Sequence, residues 1–322
     1  MPVLASDFRS SWWLPGGHTQ TIIPSVFRRL SLVSQPVEIP LPDDDRLVAD
    51  YYPTHNAPVD TPLVVIAHGL EGSSQQAYVL GLAAAALAAG YAVLAWNFRG
   101  CGRADNLTHK VYYAGCSEDL DAVIHWGAAR GHTRLYLSGY SMGANVTLKW
   151  LGEQGADARH RGVAAAAVAS APVDLEGCAD ALERPSNVIY RRRFVKDLSA
   201  RLRNKARQYP EHFDLSKLHT VRSVRDFDEA YTGPLQGFRG AQDYYDACSA
   251  QRFMWDIQVP TLVLNALNDP FLSPSCFPLA QAETHPQVHF EAPRSGGHVG
   301  FRGCPGRWHL DYRFLAFFDT VN

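Results

Sequence analysis

The stretch Gly139-Tyr140-Ser141-Met142-Gly143 sets one serine between two glycines, where the apolar run Leu135–Leu137 gives way to a helical pattern beginning near Ala144. On a tight strand-to-helix turn such a serine is pushed out at the carboxyl edge of a sheet, and small neighbours let the chain turn that closely. A serine hydroxyl is a weak nucleophile until a base takes its proton, and the base needs a carboxylate to fix its tautomer and orientation. Two downstream loops supply these groups. "VLNALNDPF" closes an apolar run and delivers Asp269, and "PRSGGHVGF" follows another and delivers His298 between glycines. Asp174, after the run Val163–Ala169, is a second candidate for the acid. His289 sits inside a strand pattern and His285 beside Pro286, so both read as structural or exposed, as does His18.

Acyl chemistry at Ser141 also requires donors aimed at a developing oxyanion, and backbone N–H groups on rigid turns provide them. Met142, directly after the nucleophile, offers one. The second is expected from Leu70 in "VVIAHGLEGSS", where His68-Gly69 turns the chain after a strand. The tandem Trp12-Trp13 and the uncharged "LPGGHTQT" are expected either to line an acyl pocket or to staple the N-terminus to the domain.

Positioning these groups takes a sheet. Apolar, β-rich runs fall at Leu63–Ala67, Tyr91–Trp96, Leu135–Leu137, Val163–Ala169, Thr261–Asn265 and Val288–Glu291. Most are continuous rather than alternating, as strands covered on both faces are. Helical patterns lie between them at Gln76–Ala89, Ser117–Arg130, Ala144–Glu153 and about Pro274–Glu283. Strand and helix in turn predict an α/β fold with a doubly wound, mostly parallel sheet. "VEIPLPDDDRLVADYY", within Val37–Pro53, reads as an antiparallel hairpin. From about 174 to 250 the rhythm breaks into helical and loop patterns, which predicts a helical cap inserted into one domain spanning 1–322. Residues 1–36 form an N-terminal extension packing on the core.

The uncharged run Val79–Trp96 invites comparison with a membrane span, but its centre is alanine and Gly90 sits where a helix would end. It reads as helix, stop and buried strand. The cap stretch from Arg184 to Arg207 holds nine Lys or Arg against one acid, Asp197, while Val188, Phe194, Val195, Leu198, Leu202 and Tyr209 recur at helical spacing. It reads as a solvated basic face held down by its apolar stripe, or as a docking face for anionic head groups, an acyl carrier or a membrane surface.

The 322 residues carry a formal net charge of −2, which offers nothing to nucleic acid. No cationic start precedes an apolar core at the N-terminus, so a cytoplasmic location is expected. The six cysteines (Cys101, Cys116, Cys178, Cys248, Cys276 and Cys304) form no CxxC pair, against a zinc ribbon or a redox motif. The chemistry calls for no cofactor and no metal, the partner is a small acyl ester, and the oligomeric state stays open.

"GGHTQTIIP", "AHGLEGSS", "NFRGCG", "GYSMGAN", "RDFDEAYTGPLQGF", "DYY", "NALNDPF" and "GGHVGF" occur in this order along nearly the whole chain. In this the sequence resembles the YheT-like, ABHD-type branch of the α/β-hydrolases, which includes mammalian lipases and yeast medium-chain ester synthases. The resemblance implies an α/β-hydrolase core with a helical insertion, and carboxylesterase or acylglycerol lipase chemistry, with transfer of the acyl group to an alcohol as the alternative. A non-catalytic binding protein would require an idle triad, and haloalkane or epoxide chemistry a carboxylate in place of the serine. The family's nucleophile, acid and base fall on Ser141, Asp269 and His298. Asn268 departs from the branch, which often has a second aspartate there. The N-terminal membrane anchor of the mammalian relatives has no counterpart, so membrane residence is not expected.

Overall fold

In the computed structural model, which describes residues 3–54, 61–303 and 307–321, continuous apolar runs become the interior of one nine-stranded sheet. Its strands are β1 Val3–Leu4, β2 Gln35–Pro40, β3 Arg46–Tyr52, β4 Leu63–Ala67, β5 Ala92–Trp96, β6 Leu135–Tyr140, β7 Val163–Ala169, β8 Thr261–Leu264 and β9 Val288–Glu291. The order is β1-β9-β8-β7-β6-β4-β5-β3-β2. From β1 to β5 all pairs are parallel, whereas the β2–β3 hairpin joins antiparallel at one edge. Every residue of β4, β5, β6 and β8 is buried, because helices cover both faces.

The helices Ala77–Ala88 and His309–Asp319 pack on one face, and Ser117–Ala129 and Met142–Gln154 on the other. Each face has its own apolar cluster, one built around Trp96, Trp150 and Phe290, the other around Tyr136, Tyr140 and Phe314. The run Val79–Trp96 divides between the Ala77–Ala88 helix and β5, with Gly90 at a φ of 87° between them. Among the described residues no helix is long and apolar enough to cross a membrane.

Three departures from the sequence reading go beyond a shift of one or two residues at an element's end. β6 runs on to Tyr140, so the strand leads straight into Ser141. The helix expected at about Pro274–Glu283 is a single tight turn, Pro274–Cys276, followed by Leu279–Thr284, because Pro278 has no N–H with which to continue the first. The N-terminal extension does more than pack: β1 adds to the sheet edge beside β9, and a helix follows at Gly16–Phe27.

Between β7 and β8 the chain adds no strand. Helices Leu175–Glu183, Val188–Gln208 and Ala241–Cys248, with a π-helical turn at Asp228–Thr232, cover the carboxyl ends of the strands. The Val188–Gln208 helix and the segment after it share a small apolar core of Leu198, Leu202, Phe213, Leu218, Val221, Phe227 and Tyr231, against which Leu70 of the main body packs. The cysteines Cys101, Cys116, Cys178, Cys248 and Cys276 are buried free thiols, and Cys304 lies outside the described residues.

Candidate active site

Ser141 stands between β6 and the Met142–Gln154 helix with φ 54° and ψ −124°. A side chain held in that region costs on the order of 1–3 kcal/mol, so the surroundings must enforce it. The flanking glycines explain how. A Cβ on Gly139 would lie 2.5 Å from the carbonyl oxygen of Gly143, and one on Gly143 would lie 2.4 Å from that of His68. Both glycines are therefore contact surfaces, where the first helical turn presses against its own strand and against the end of β4.

The three residues separated by 128 and 29 positions meet at the carboxyl ends of β6, β8 and β9. His298 Nε2 lies 2.8 Å from Ser141 Oγ, and His298 Nδ1 lies 2.9 and 3.1 Å from the carboxylate oxygens of Asp269. A carboxylate only accepts, so Nδ1 carries the proton and Nε2 is left to receive the one on Ser141. The Asp269 side chain is fully buried, that of His298 nearly so, and Phe271 N–H donates to Asp269 Oδ1 at 2.9 Å. The Phe271 ring packs 4.3 Å from the imidazole.

The loop carrying His298 is held by the N-terminal helix, a function the sequence reading did not assign to "GGHTQT". Thr21 Oγ1 accepts from His298 N–H at 2.8 Å, and Gln20 Oε1 accepts from Gly296 N–H at 2.7 Å. Asn268 stands between these segments: its Oδ1 accepts from Gly297 N–H at 3.1 Å, and its Nδ2 donates to Gln20 Oε1 at 3.0 Å. Ser170, at φ 52° after β7, accepts from Val299 N–H at 2.9 Å. The signal lies in the motif itself, where Gln20 and Thr21, beside His18, make the contacts.

The other candidates lie elsewhere. Asp174 caps the Leu175–Glu183 helix, accepting from Gly177 N–H at 3.0 Å, and its second oxygen takes the Ser275 hydroxyl. His285 bonds backbone at Trp255, Gln287 and Val288, and His289 lies on β9 against Phe317. His18 stacks on Tyr190 at the surface. Trp12 is 87% exposed, and Trp13 lines a separate groove with Ile23, Phe27 and Trp308, so neither reaches an acyl pocket. Among the described residues the one cluster of potential metal ligands is Asp7, Glu291 and His309, where Arg313 and Ser6 already engage Glu291.

Leu70 and Met142 both face the serine across the wall of one cavity of about 140 Å³. Among the described residues no acceptor takes either N–H. The rest of that wall is mostly apolar, with Leu182, Phe194, Leu198 and Phe227 from the cap and Val111 and Ala114 from the main body, while Asp228, Arg201, Thr232 and several tyrosines add polar groups. Asp228 is fully buried, with Tyr245 OH donating to it at 2.8 Å, and burial pushes its carboxyl up to about 6 despite that bond. A second, more polar cleft of about 300 Å³ also reaches Ser141 and His298, between the Gly16–Phe27 helix and the Tyr190–Asp197 part of the cap.

A serine on a strained strand-to-helix turn, with an aspartate and a histidine on the loops after later strands of a parallel sheet, defines the class: this is an α/β-hydrolase fold. A family model described as serine aminopeptidase, S33, matches residues 60–277. The YheT protein of Escherichia coli is 34% identical over 89% of this chain and 84% of its own length. Phospholipase ABHD3 of Mus musculus is 27% identical over 99% and 80%, and the medium-chain fatty acid ethyl ester synthase/esterase 2 of Saccharomyces cerevisiae is 30% identical over 76% and 58%. In structure the Pyrococcus furiosus esterase Pf2001 superposes with a TM-score of 0.60 at 16% identity, covering 90% of this chain and 91% of that one, a likeness of fold alone. The chain belongs to the YheT-like, ABHD-type family of α/β-hydrolases, enzymes of esterase and lipase type.

Proposed function

We propose that the protein hydrolyses carboxylic esters through an acyl-enzyme on Ser141. Ser141 Oγ attacks the ester carbonyl as its proton passes to His298 Nε2, while Asp269 holds the imidazole and stabilises its charge. The oxyanion of the tetrahedral intermediate receives the N–H groups of Leu70 and Met142. His298 then protonates the leaving alcohol, and a water activated by the same histidine releases the acid. The acyl chain takes the apolar cavity under the cap and the alcohol part takes the more polar cleft, a division that fits short or medium acyl chains or an acylglycerol-like ester.

The observation that carries this reading is the continuous relay, 2.8 Å from Ser141 to His298 and 2.9 Å from His298 to Asp269, opening onto an apolar cavity. The similarity to a protein named both synthase and esterase favours one alternative, in which an alcohol replaces water at the second step. Both are tested by turnover of p-nitrophenyl esters from acetate to palmitate, with and without ethanol. Ser141→Ala is expected to lower kcat by about 10⁴-fold or more. Ethyl ester formed at the expense of free acid marks transfer, and turnover unaffected by Ser141→Ala removes the mechanism.

A further inference from the structure

Arg201, on the cap helix Val188–Gln208, reaches down into the main body and grips the residue that follows Leu70. Its Nε and Nη2 donate to the two carboxylate oxygens of Glu71 at 2.8 and 3.1 Å, and its Nη1 donates to the carbonyl of Gly100 in the turn after β5. The Glu71 side chain is almost fully buried, that of Arg201 largely so, and Tyr112 OH donates to the same carboxylate. A two-point guanidinium–carboxylate pair fixes direction as well as distance, which a single charge does not.

What it fixes is the backbone of Leu70. Glu71 sits at φ 54°, a conformation that a non-glycine residue adopts only when held there. From the main body the loop is held at Gly69, whose N–H donates to Tyr78 OH at 3.0 Å and whose carbonyl receives His68 Nδ1–H at 2.7 Å, and at Glu71 N–H, which donates to Tyr112 OH at 3.2 Å. The Glu71 carboxylate is shared between Tyr112 of the main body and Arg201 of the cap, and among the described residues only Arg201 engages both of its oxygens. Leu70 lies between these anchors and makes its own contact with the cap's apolar core.

We propose that Arg201 is a positioning residue for ester hydrolysis: by clamping Glu71 it aims the Leu70 N–H at the oxyanion, so that seating the cap and completing the oxyanion hole are one event. This rests on the assignment of Leu70 as an oxyanion donor in the mechanism above. A cap lifted away from the strand ends would take Arg201 with it and leave Glu71 free to relax. The hole would then be aligned only when the acyl cavity is closed over a substrate.

The test compares wild type with Arg201→Met, Arg201→Lys, Glu71→Gln and the Arg201→Met/Glu71→Gln double variant, using a p-nitrophenyl ester of a chain length the wild type accepts. A fluorophosphonate titrates active sites, so that kcat is expressed per competent serine and any loss of folded protein is divided out. A trifluoromethyl ketone, which forms a tetrahedral oxyanion on the serine, reports the hole directly. Arg201→Met is expected to lower kcat by about 10- to 100-fold, less than the roughly 10²- to 10³-fold lost when an oxyanion donor is removed outright, with KM within about twofold. The ketone's Ki rises by the same factor as kcat/KM falls. Arg201→Lys recovers part of the loss, and the double variant is no worse than the poorer single one.

A loss confined to KM, an unchanged ketone Ki, or single effects that multiply in the double variant would overturn the proposal. If Arg201→Met does not fold, Arg201→Lys and Glu71→Gln carry the same comparison. Wild-type protein that neither reacts with the fluorophosphonate nor binds the ketone overturns the serine mechanism itself, and the proposal with it. A reactive wild type with unaltered clamp variants overturns the proposal alone.

Discussion

Asn268 shows how much one atom decides at the site. Its Nδ2 donates to Gln20 Oε1 while that oxygen also receives Gly296 N–H, and its Oδ1 receives Gly297 N–H. Gln20 Nε2 donates to Leu14 O at 2.8 Å, so the glutamine cannot turn over without breaking a buried bond. An aspartate here would set two acceptors against each other beside the loop that carries His298. Asn268→Asp is therefore expected to cost roughly 1–3 kcal/mol of stability near neutral pH, with a several-fold fall in kcat, and to recover in part where the new carboxyl protonates and can donate. Urea unfolding and kcat measured at pH 5 and 8 check this, and a defect equal at both values would refute it. The meeting of Ser141, Asp269 and His298 was legible because a proton relay demands a particular residue type in a particular kind of turn at each position. Gln20, Thr21, Ser170 and Arg201 were not, since polar side chains that hold backbone carry no spacing that marks them before the segments meet.

Among the elements, the parallel strands were readable because burial on both faces leaves runs that are apolar throughout. The two-residue β1 was not: its place beside β9 is set by a pairing across most of the chain. The cap helix Val188–Gln208 was visible as an apolar stripe with a basic remainder, but the uses of its charges were not. Arg201 and Lys205 turn inward, Lys205 Nζ donating to Thr108 O at 2.9 Å, and Arg191 pairs with Glu183. Arg192, Arg193 and Lys196 stay exposed, next to Ile189 at 70% exposure. Ile189 and Arg193 share the polar cleft with Ile22 and Val26 of the N-terminal helix, both also exposed. Peripheral contact with an anionic lipid surface is thus proposed for this side of the cap. At about 1 kcal/mol per basic side chain near such a surface, replacing Arg192, Arg193 and Lys196 by serine should weaken co-sedimentation with anionic vesicles by about 100-fold. Binding should also fall with added salt. Equal sedimentation of variant and wild type, or none with anionic vesicles, rejects the contact.

At the scale of the whole molecule, folding and the site are tied together by His68, which is fully buried where β4 ends and the Leu70 loop begins. Phe98 N–H donates to its Nε2 at 3.3 Å, so its proton sits on Nδ1 and is given to Gly69 O. A second proton would have to enter against that N–H in a site closed off from the surface. Burial accordingly lowers the imidazole to about 4, with the Arg201 charge acting in the same direction. Between that value and the ordinary 6.5 the unfolded chain binds a proton that the native chain does not, so stability drops as pH falls through this window, by roughly 3 kcal/mol at its lower end. Asp119, Asp228 and Asp311 work in the opposite sense. Burial raises each to about 6, so the native state keeps protons that the unfolded state has already lost, and stability from these groups is present at acid pH and lost as pH rises. The histidine's share is isolated by comparison with His68→Gln, whose amide can donate to Gly69 and accept from Phe98 but does not titrate. Relative to that variant, wild type is expected to lose roughly 2 kcal/mol between pH 7.5 and 5, read from urea midpoints at constant m value. A difference that stays constant across this range would mean that His68 is not the neutral pin between the sheet and the Leu70 loop.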